Sequence, residues 1–515
     1  MQPNLSDSLE PTIPSHSHRA WKTFRFTAFT LIFSSLAGLL FGCGATPSNP
    51  TAAVVQKPFA GKILKISVSD PALGAEVRGR AKAWANRTSA KVTVVTELPP
   101  QDLKDADISI IPQENLAGLA ARGELASVPE TLTGNGKAFR WDTLFVPFQT
   151  SLVQWGSHTV AIPIAGDGLI CVYRADRFRD PSAMKAFRTQ FQKDLVPPST
   201  WEDMAEIAAA FHLPGKPSLP PLPTDGAALD QFHHLAACYD RVPVGTGTKE
   251  VGSAARALSF HIDAEKFQPR LNAPAFAAAY SWFHQTAPFR STTAETPLAA
   301  ISTGSAVVAV LTLRELSQLP RDPKTGAISE IFGIAPVPGT RMSFNAEGKA
   351  VQAVTGRNSI PFLGGTGAFA VVNQRSTNTD AAWDFLNDLA GPEGSASTLS
   401  ESHLGAGPIR ESHIAPQTGL AIWQRYGFDE RHTKDLSSAM QSYINTAVAN
   451  PALPLRTPDA PQVYAILDTQ LRRAANGQAT GPEAAAAAVA AWVAHDRTQD
   501  AEQLKMWRRK AAGLD

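Results

Sequence analysis

The first half of the chain alternates two hydrophobic periods. "ILKISVSD" places apolar side chains at alternating positions and ends at Asp70, which predicts a strand running into a loop. "PALGAEVRGRAKAWANRT" then carries Leu73, Val77, Ala81 and Trp84 at helical spacing. "KVTVVTEL" and "DADISIIPQ" predict two more strands, the second closed by Pro112, and "ENLAGLAARGELASV" predicts a helix that stops at Gly123. Strand-helix-strand-helix order implies right-handed crossovers and a mainly parallel sheet. In "HTVAIPIAGDGLICVYRADRF" two strands flank the break Gly166-Asp167-Gly168. "VPPSTWEDMAEIAAAFHL" predicts a helix capped by Ser199 or Thr200, with Glu202 or Asp203 in the first turn. Its apolar face is Trp201, Met204, Ala205, Ala208 and Phe211.

Further on, the Pro- and Gly-rich "LPGKPSLPPLPTDG" reads as a loop, and "AALDQFHHLAACYDR" and "NAPAFAAAYSWFHQTAP" as helices. "LAAISTGSAVVAVLTLREL" predicts a helix end, a turn and a buried strand, and "EIFGIAPVPGT" and "SIPFLGGTGAFAVVNQ" predict strands. "NTDAAWDFLNDLAGPEGS" is a helix with Ala382, Phe385, Leu386 and Leu389 inward, ended by Gly391-Pro392. From there the pattern is helical, closing with the alanine-rich "TGPEAAAAAVAAWVAHDRT", capped at Thr480.

The N-terminus has a different pattern. Arg19, Lys22 and Arg25 precede an apolar run of 17 residues, Phe26 to Gly42, that stops at Cys43. A membrane span wants roughly 20 predominantly apolar residues, so a positive n-region and a short apolar stretch fit a secretory signal better. "Leu40-Phe41-Gly42-Cys43" resembles the bacterial lipobox, although Phe41 is bulkier than usual at its position. Lipidation of Cys43 would then anchor the mature chain, two or more acyl chains being needed for stable attachment. An uncleaved signal anchor is the alternative. Residues 43–61 read as a flexible tether.

The remainder of the 515-residue chain exceeds one typical domain about threefold, which argues for two lobes. Net charge is +1 with both signs interspersed, so no nucleic-acid footprint appears. Beyond Cys43 there are two cysteines, Cys171 and Cys238, both in apolar runs. They read as small buried hydrophobes, with a disulfide between them left open. No His-Glu-x-x-His, Cys-x-x-Cys, G-x-S-x-G or phosphate-binding loop is present. His233-His234 occupies adjacent helical positions that point apart, which disfavours shared metal ligation.

In order along residues 62 to 500, these segments resemble the extracellular solute-binding proteins of ATP-driven importers, in the class that binds sugars and similar solutes. "DADISIIPQENLAGLAARGELASV" is similar to that family's strand, helix and glycine-x-leucine segment. "TVAIPIAGDGLICVYRADRF" resembles its two central strands, with Arg174 where asparagine is usual. "PPSTWEDMAEIAAAF", "AISTGSAVVAV", "FGIAPVPG", "FLGGTGAFAVV", "AAWDFLNDLAGPEGS", "GAGPIRES" and "TGPEAAAAAVAAW" resemble its later markers. The resemblance implies an α/β, two-lobed periplasmic-binding-protein-like fold of type II, each lobe a mainly parallel sheet flanked by helices. A signal peptide would span 1–42, lobe one 62–165 plus 332–371, and lobe two 166–331 plus 372–515. It implies a monomeric, exported, membrane-anchored receptor that needs no cofactor or metal. Its partners would be a small-molecule solute in an interlobe cleft, the membrane through its lipid, and an importer's permease. Hinges would lie at Gly166-Asp167-Gly168, near Gly333, and at Val371-Val372-Asn373.

Open α/β sheets bind ligands beyond the carboxyl ends of their strands. That rule nominates Asp70, Gln113, Glu114, Asp167, Asp225 and Arg314, with Gly364 and Gly365 letting backbone approach the solute. A sugar also takes aromatic faces, for which Trp282 and Trp423 are candidates, against core packing as the alternative for each. Asp70 and Asp225 can equally cap helices. Arg314 in a cleft would favour an acidic solute. A carbohydrate-active enzyme with paired carboxylates, or a sensor or scaffold on the same fold, remain alternatives to the receptor.

Overall fold

A computed structural model describes residues 57–97, 103, 105–241, 260–263, 266–345, 347–365, 367–445 and 452–514. Cys43, the apolar run before it and most of the tether lie outside these residues. In chain order the strands are β1 (Ile63–Val68), β2 (Lys91–Thr96), β3 (Ile108–Pro112), β4 (Gln154–Trp155), β5 (His158–Thr159), β6 (Ile162–Ala165), β7 (Leu169–Arg174), β8 (Val308–Thr312), β9 (Phe332–Ala335), β10 (Met342–Phe344), β11 (Ala350–Gln352) and β12 (Ala368–Val372).

The larger sheet has the order β2-β1-β3-β12-β6. β1 runs parallel to β2 and β3, while β12 enters antiparallel between β3 and β6. β1 buries Leu64, Ile66 and Val68 and exposes Ile63 and Lys65, as its alternating pattern requires. Asp70 caps the following helix, Pro71–Thr88, by accepting the Leu73 N–H at 2.9 Å. That helix buries Leu73, Val77, Ala81 and Trp84, the predicted stripe. The Trp84 ring packs edge-on against Phe385 of the helix Thr379–Ala390, at 5.7 Å between centroids. One late helix thus closes the same core as the first.

The smaller sheet has the order β8-β7-β9. The chain leaves the larger sheet at β6, passes Gly166-Asp167-Gly168, and enters the smaller one as β7. β12 returns it to the larger sheet. Two local features differ from the sequence expectation. The expected first-lobe segment 332–371 begins with β9, which pairs instead with β7 in the smaller sheet. β7 is also antiparallel to both neighbours, so parallel pairing among the described strands is confined to the larger sheet. A strand's apolar pattern reports that it is buried, but its hydrogen-bonding partner is chosen by tertiary packing.

Beside the smaller sheet, Thr200 and Asp203 form a reciprocal capping box on the helix Trp201–Phe211. It buries Trp201, Met204, Ile207 and Ala208, with Ile207 where the pattern pointed to Ala205. The helix Ala227–Asp240 is buried along all of its length except Leu229. Thr480 and Glu483 box the late alanine-rich helix, Gly481–Asp496. Cys171 and Cys238 are both free and fully buried, with no disulfide between them. Within the described residues no helix is long and apolar enough to cross a membrane.

Candidate functional site

The carboxyl ends of β1, β3 and β6 open onto a cavity of about 540 Å³. From the larger sheet come Ser69 and Asp70 after β1, Ile110 to Pro112 of β3, Ala165 at the end of β6, and Ala368 at the start of β12. Gly168 before β7, Thr312 at the end of β8, Arg314, and the turn Asp225-Gly226-Ala227 supply the other wall. Thr398 and the turn Leu404-Gly405-Ala406 complete it. Both sheets therefore contribute, and the strand order explains why: antiparallel β12 brings its amino end to the carboxyl ends of β3 and β6.

Asp70 and Arg314 meet across this cavity, with Arg314 Nη2 2.6 Å from Asp70 Oδ2. Arg314 also donates to the Leu404 carbonyl, from Nε at 3.3 Å and Nη2 at 3.1 Å. Thr312 and Glu315 box the short helix that carries Arg314, so its backbone is fixed by its own first turn. Burial opposes ionisation of Asp70, but the Leu73 N–H and the Arg314 guanidinium outweigh it and hold the carboxyl below its ordinary value. Asp70 thus caps its helix and also lines the cavity. Asp225 is exposed on the cavity and accepts the Ala227 N–H at 3.1 Å.

Asp167 lies at the crossing but serves the backbone. It is 4% exposed and accepts the N–H groups of Gly364 and, at 3.1 Å, of Gly367. Gly364 and Gly367 are thereby tied to the β6–β7 crossing. The neighbouring approach is closer still: Gly407 pairs with Gly166, and a Cβ on Gly407 would overlap the Asp167 carbonyl. Gly365 lines the cavity and Gly364 does not. Gln113 and Glu114 start the turn after β3, next to Pro112 of the cavity wall. Gln113 is buried, and burial raises the Glu114 carboxyl.

Neither tryptophan reaches the cavity. Trp282 is core: its Nε1 donates to the Trp201 carbonyl at 2.8 Å and its ring stands edge-on to Trp201, 4.8 Å between centroids. Trp423 is fully buried against Tyr426, 5.3 Å between centroids. Aromatic identity carries no information about which face of a helix meets a cavity, and the packing alternative is the one the structure takes. No aromatic side chain lines the cavity among the described residues.

One acid escapes the strand-end rule. Asp230 lies a turn into the helix Ala227–Asp240, on the face of Gly226 and Ala227, and abuts Gly365; a Cβ on Gly365 would overlap its Oδ1. Burial, reinforced by the charges of Asp167, Asp225 and Glu114, pushes its carboxyl well above the ordinary range. The only sequence signal is a single acid after the apolar start Ala227-Ala228-Leu229 of the helix.

The sequence profile described as bacterial extracellular solute-binding protein matches residues 88–426, more than half of the chain. No curated protein matches the sequence. Among solved structures, an ABC transporter solute-binding protein from Agrobacterium radiobacter, in complex with ribitol, is similar with a TM-score of 0.58 at 16% identity, over 84% of this chain and 98% of that one. The cyclic alpha-maltosyl-1,6-maltose binding protein from Arthrobacter globiformis is similar with a TM-score of 0.57 at 16% identity, over 85% and 99%. Maltose-bound MalE3 of T. maritima follows with a TM-score of 0.56 at 14% identity, over 84% and 99%. These neighbours share the fold, a two-lobed α/β architecture of the periplasmic-binding-protein kind. By its sequence, this chain belongs to the bacterial extracellular solute-binding protein family.

Proposed function

We propose that this chain is the receptor of an ATP-driven importer, and that it holds a small hydroxylated solute in the cavity between its two sheets. One observation carries the reading: a cavity of about 540 Å³ is walled by both sheets at strand ends, with Asp70, Asp225 and Arg314 on its surface. That volume lies within the roughly 300–1,000 Å³ of small-molecule sites. The neighbours named above are described by ribitol, maltose and a cyclic maltosyl-maltose, which supports a polyol or sugar here. With no aromatic face on the cavity, hydrogen bonds rather than ring stacking would hold the solute, which favours a short ligand over a long oligosaccharide.

Lobe one then comprises 62–165 with β12, and lobe two most of the remainder. Closure would pivot at Gly166-Asp167-Gly168 and Val371-Val372-Asn373, and the permease would read the closed state. Only a solute with different affinity for open and closed states can drive that change. Cys43 would carry the lipid that keeps the receptor near its permease. Cys43→Ser should release the protein from membranes or leave its precursor unprocessed; unchanged retention and processing would rule the anchor out.

A thermal-shift panel of polyols, monosaccharides and disaccharides tests the receptor reading. A bound solute at 100 times its Kd adds about 2.7 kcal/mol of stability. No shift with any hydroxylated solute would overturn it.

A further inference from the structure

Arg314 joins the two sides of the cavity. Its helix, Leu313–Ser317, follows β8 of the smaller sheet, and the Leu313 N–H donates to the Gly168 carbonyl at 3.1 Å. Its guanidinium makes three hydrogen bonds, all toward the larger sheet: Nη2 to Asp70 Oδ2 at 2.6 Å, and Nε and Nη2 to the Leu404 carbonyl at 3.3 and 3.1 Å. Asp70 follows β1 of that sheet. Leu404 belongs to a segment held on the same side. Before it, the helix Thr379–Ala390 packs Phe385 on Trp84. After it, the Phe145 N–H donates to the Ile409 carbonyl at 3.0 Å, and Phe148 stacks on Phe369 of β12, 6.2 Å between centroids. A second feature, independent of charge, marks the same contact. Gly405 has a φ of +62°, and a Cβ there would lie 2.5 Å from the Arg314 backbone nitrogen. The two sides therefore touch backbone to backbone where the guanidinium reaches across.

Every partner in this contact is a group of the chain itself, so it favours closure alike for any solute. A receptor whose binding-competent form is only partly populated binds more weakly in proportion to that fraction. A contact that raises the fraction tightens every solute by the same factor and adds nothing to discrimination among them. The side chains of Arg314 and Asp70 are also accessible enough for salt to screen the pair.

Resting on the receptor reading above, we propose that Arg314 is a solute-independent latch. It draws the smaller-sheet side of the cavity against Asp70 and the Leu404 carbonyl, and so sets how much of the receptor is closed before a solute arrives. Gly405 is the position that lets the two backbones meet.

Spin-label distances across the cavity test it, with no solute added. Labels go on Ala75→Cys and Gln318→Cys, exposed positions about one turn from Asp70 and Arg314. The full chain carries Cys43→Ser, so that only the introduced cysteines react, Cys171 and Cys238 being fully buried. In low salt the short distance should dominate. Arg314→Ala should raise the open-to-closed ratio about fivefold. Asp70→Asn, which keeps an oxygen for the Leu73 N–H, should move the ratio the same way and carries the test if Arg314→Ala does not fold. Salt at 1 M, where the screening length is about 3 Å, should open the unmodified chain in part and leave Arg314→Ala where it is. Distance distributions that coincide for the unmodified chain and both variants, or an unmodified chain that is already open in low salt, would overturn the latch. Either result would overturn the latch alone; the receptor falls only if the thermal-shift panel shows no solute.

Discussion

The helix Ala227–Asp240 handles buried titratable groups differently near its amino end and at its middle. Near its amino end, Asp230 packs beneath Gly365 of the cavity wall, and its Oδ2 has no partner among the described residues. One turn on, His233 and His234 sit inside an aromatic core. His233 Nε2 is 3.1 Å from His261 Nε2, with Phe362 4.5 Å away between ring centroids. His234 stacks on Tyr443, 5.8 Å between centroids. Burial drives every one of these groups toward its neutral form. The difference is what could restore the charge. Asp230 is one residue contact from the cavity wall at Gly365, whereas His233 and His234 are enclosed by rings. Burial of a polar group is therefore a functional signal where it borders open space, and a packing feature where it does not.

The largest test of this contrast is acid stability. Burial lowers His233 and His234 to about 3, and His413 behaves alike, its Nδ1 accepting the Ile409 N–H at 3.2 Å. The unfolded chain takes protons from about pH 6.5 downward while the folded one refuses them, so stability falls as pH drops through that window. At pH 5 each histidine subtracts about 2 kcal/mol, and the three together about 6, a large part of a typical 5–15 kcal/mol. Urea titrations at pH 7 and pH 5 should show this loss, and His234→Leu should recover its own share. A pH-independent midpoint would mean that water or protons reach the aromatic core.

Asp230 should show the opposite sign. Its carboxyl is raised, so it takes protons in the folded state, and its contribution is most favourable below about pH 4 and declines as pH rises. Asp230→Asn should therefore stabilise the ligand-free chain at pH 7 and give no gain at pH 4. A destabilised Asp230→Asn at neutral pH would mean that the carboxylate has a partner in solution, and the two regions of the helix would then differ less than the structure indicates.

How much of this could be read from the sequence follows the same division. Strand ends and helix caps are local, and Asp70, Asp225, Arg314 and Gly365 were all placed on the cavity wall by the strand-end rule. The capping boxes at Thr200 and Thr480 are local too. What failed is non-local. β9 joins β7, Trp282 turns into the core against Trp201, and Asp167 holds backbone rather than facing the cavity. Asp230 was passed over because it follows no strand. Its importance depends on Gly365, 135 residues later, lying against it.

The smallest expected effect concerns Asp70 and Arg314, the exposed counterpart of these buried groups. Their side chains are 33% and 42% accessible, so the ion pair should contribute about 0–1 kcal/mol despite its 2.6 Å separation. Asp70→Asn removes the charge but keeps an oxygen for the Leu73 N–H, whereas Asp70→Ala removes the cap as well, worth about 1 kcal/mol more. Arg314→Ala should match Asp70→Asn in urea midpoint, and both differences should shrink in 1 M salt, where the screening length falls to about 3 Å. If Asp70→Asn proves as damaging as Asp70→Ala and salt changes nothing, the pair is a desolvated bond between the two cavity walls. The charge of Arg314 would then be unavailable to any solute.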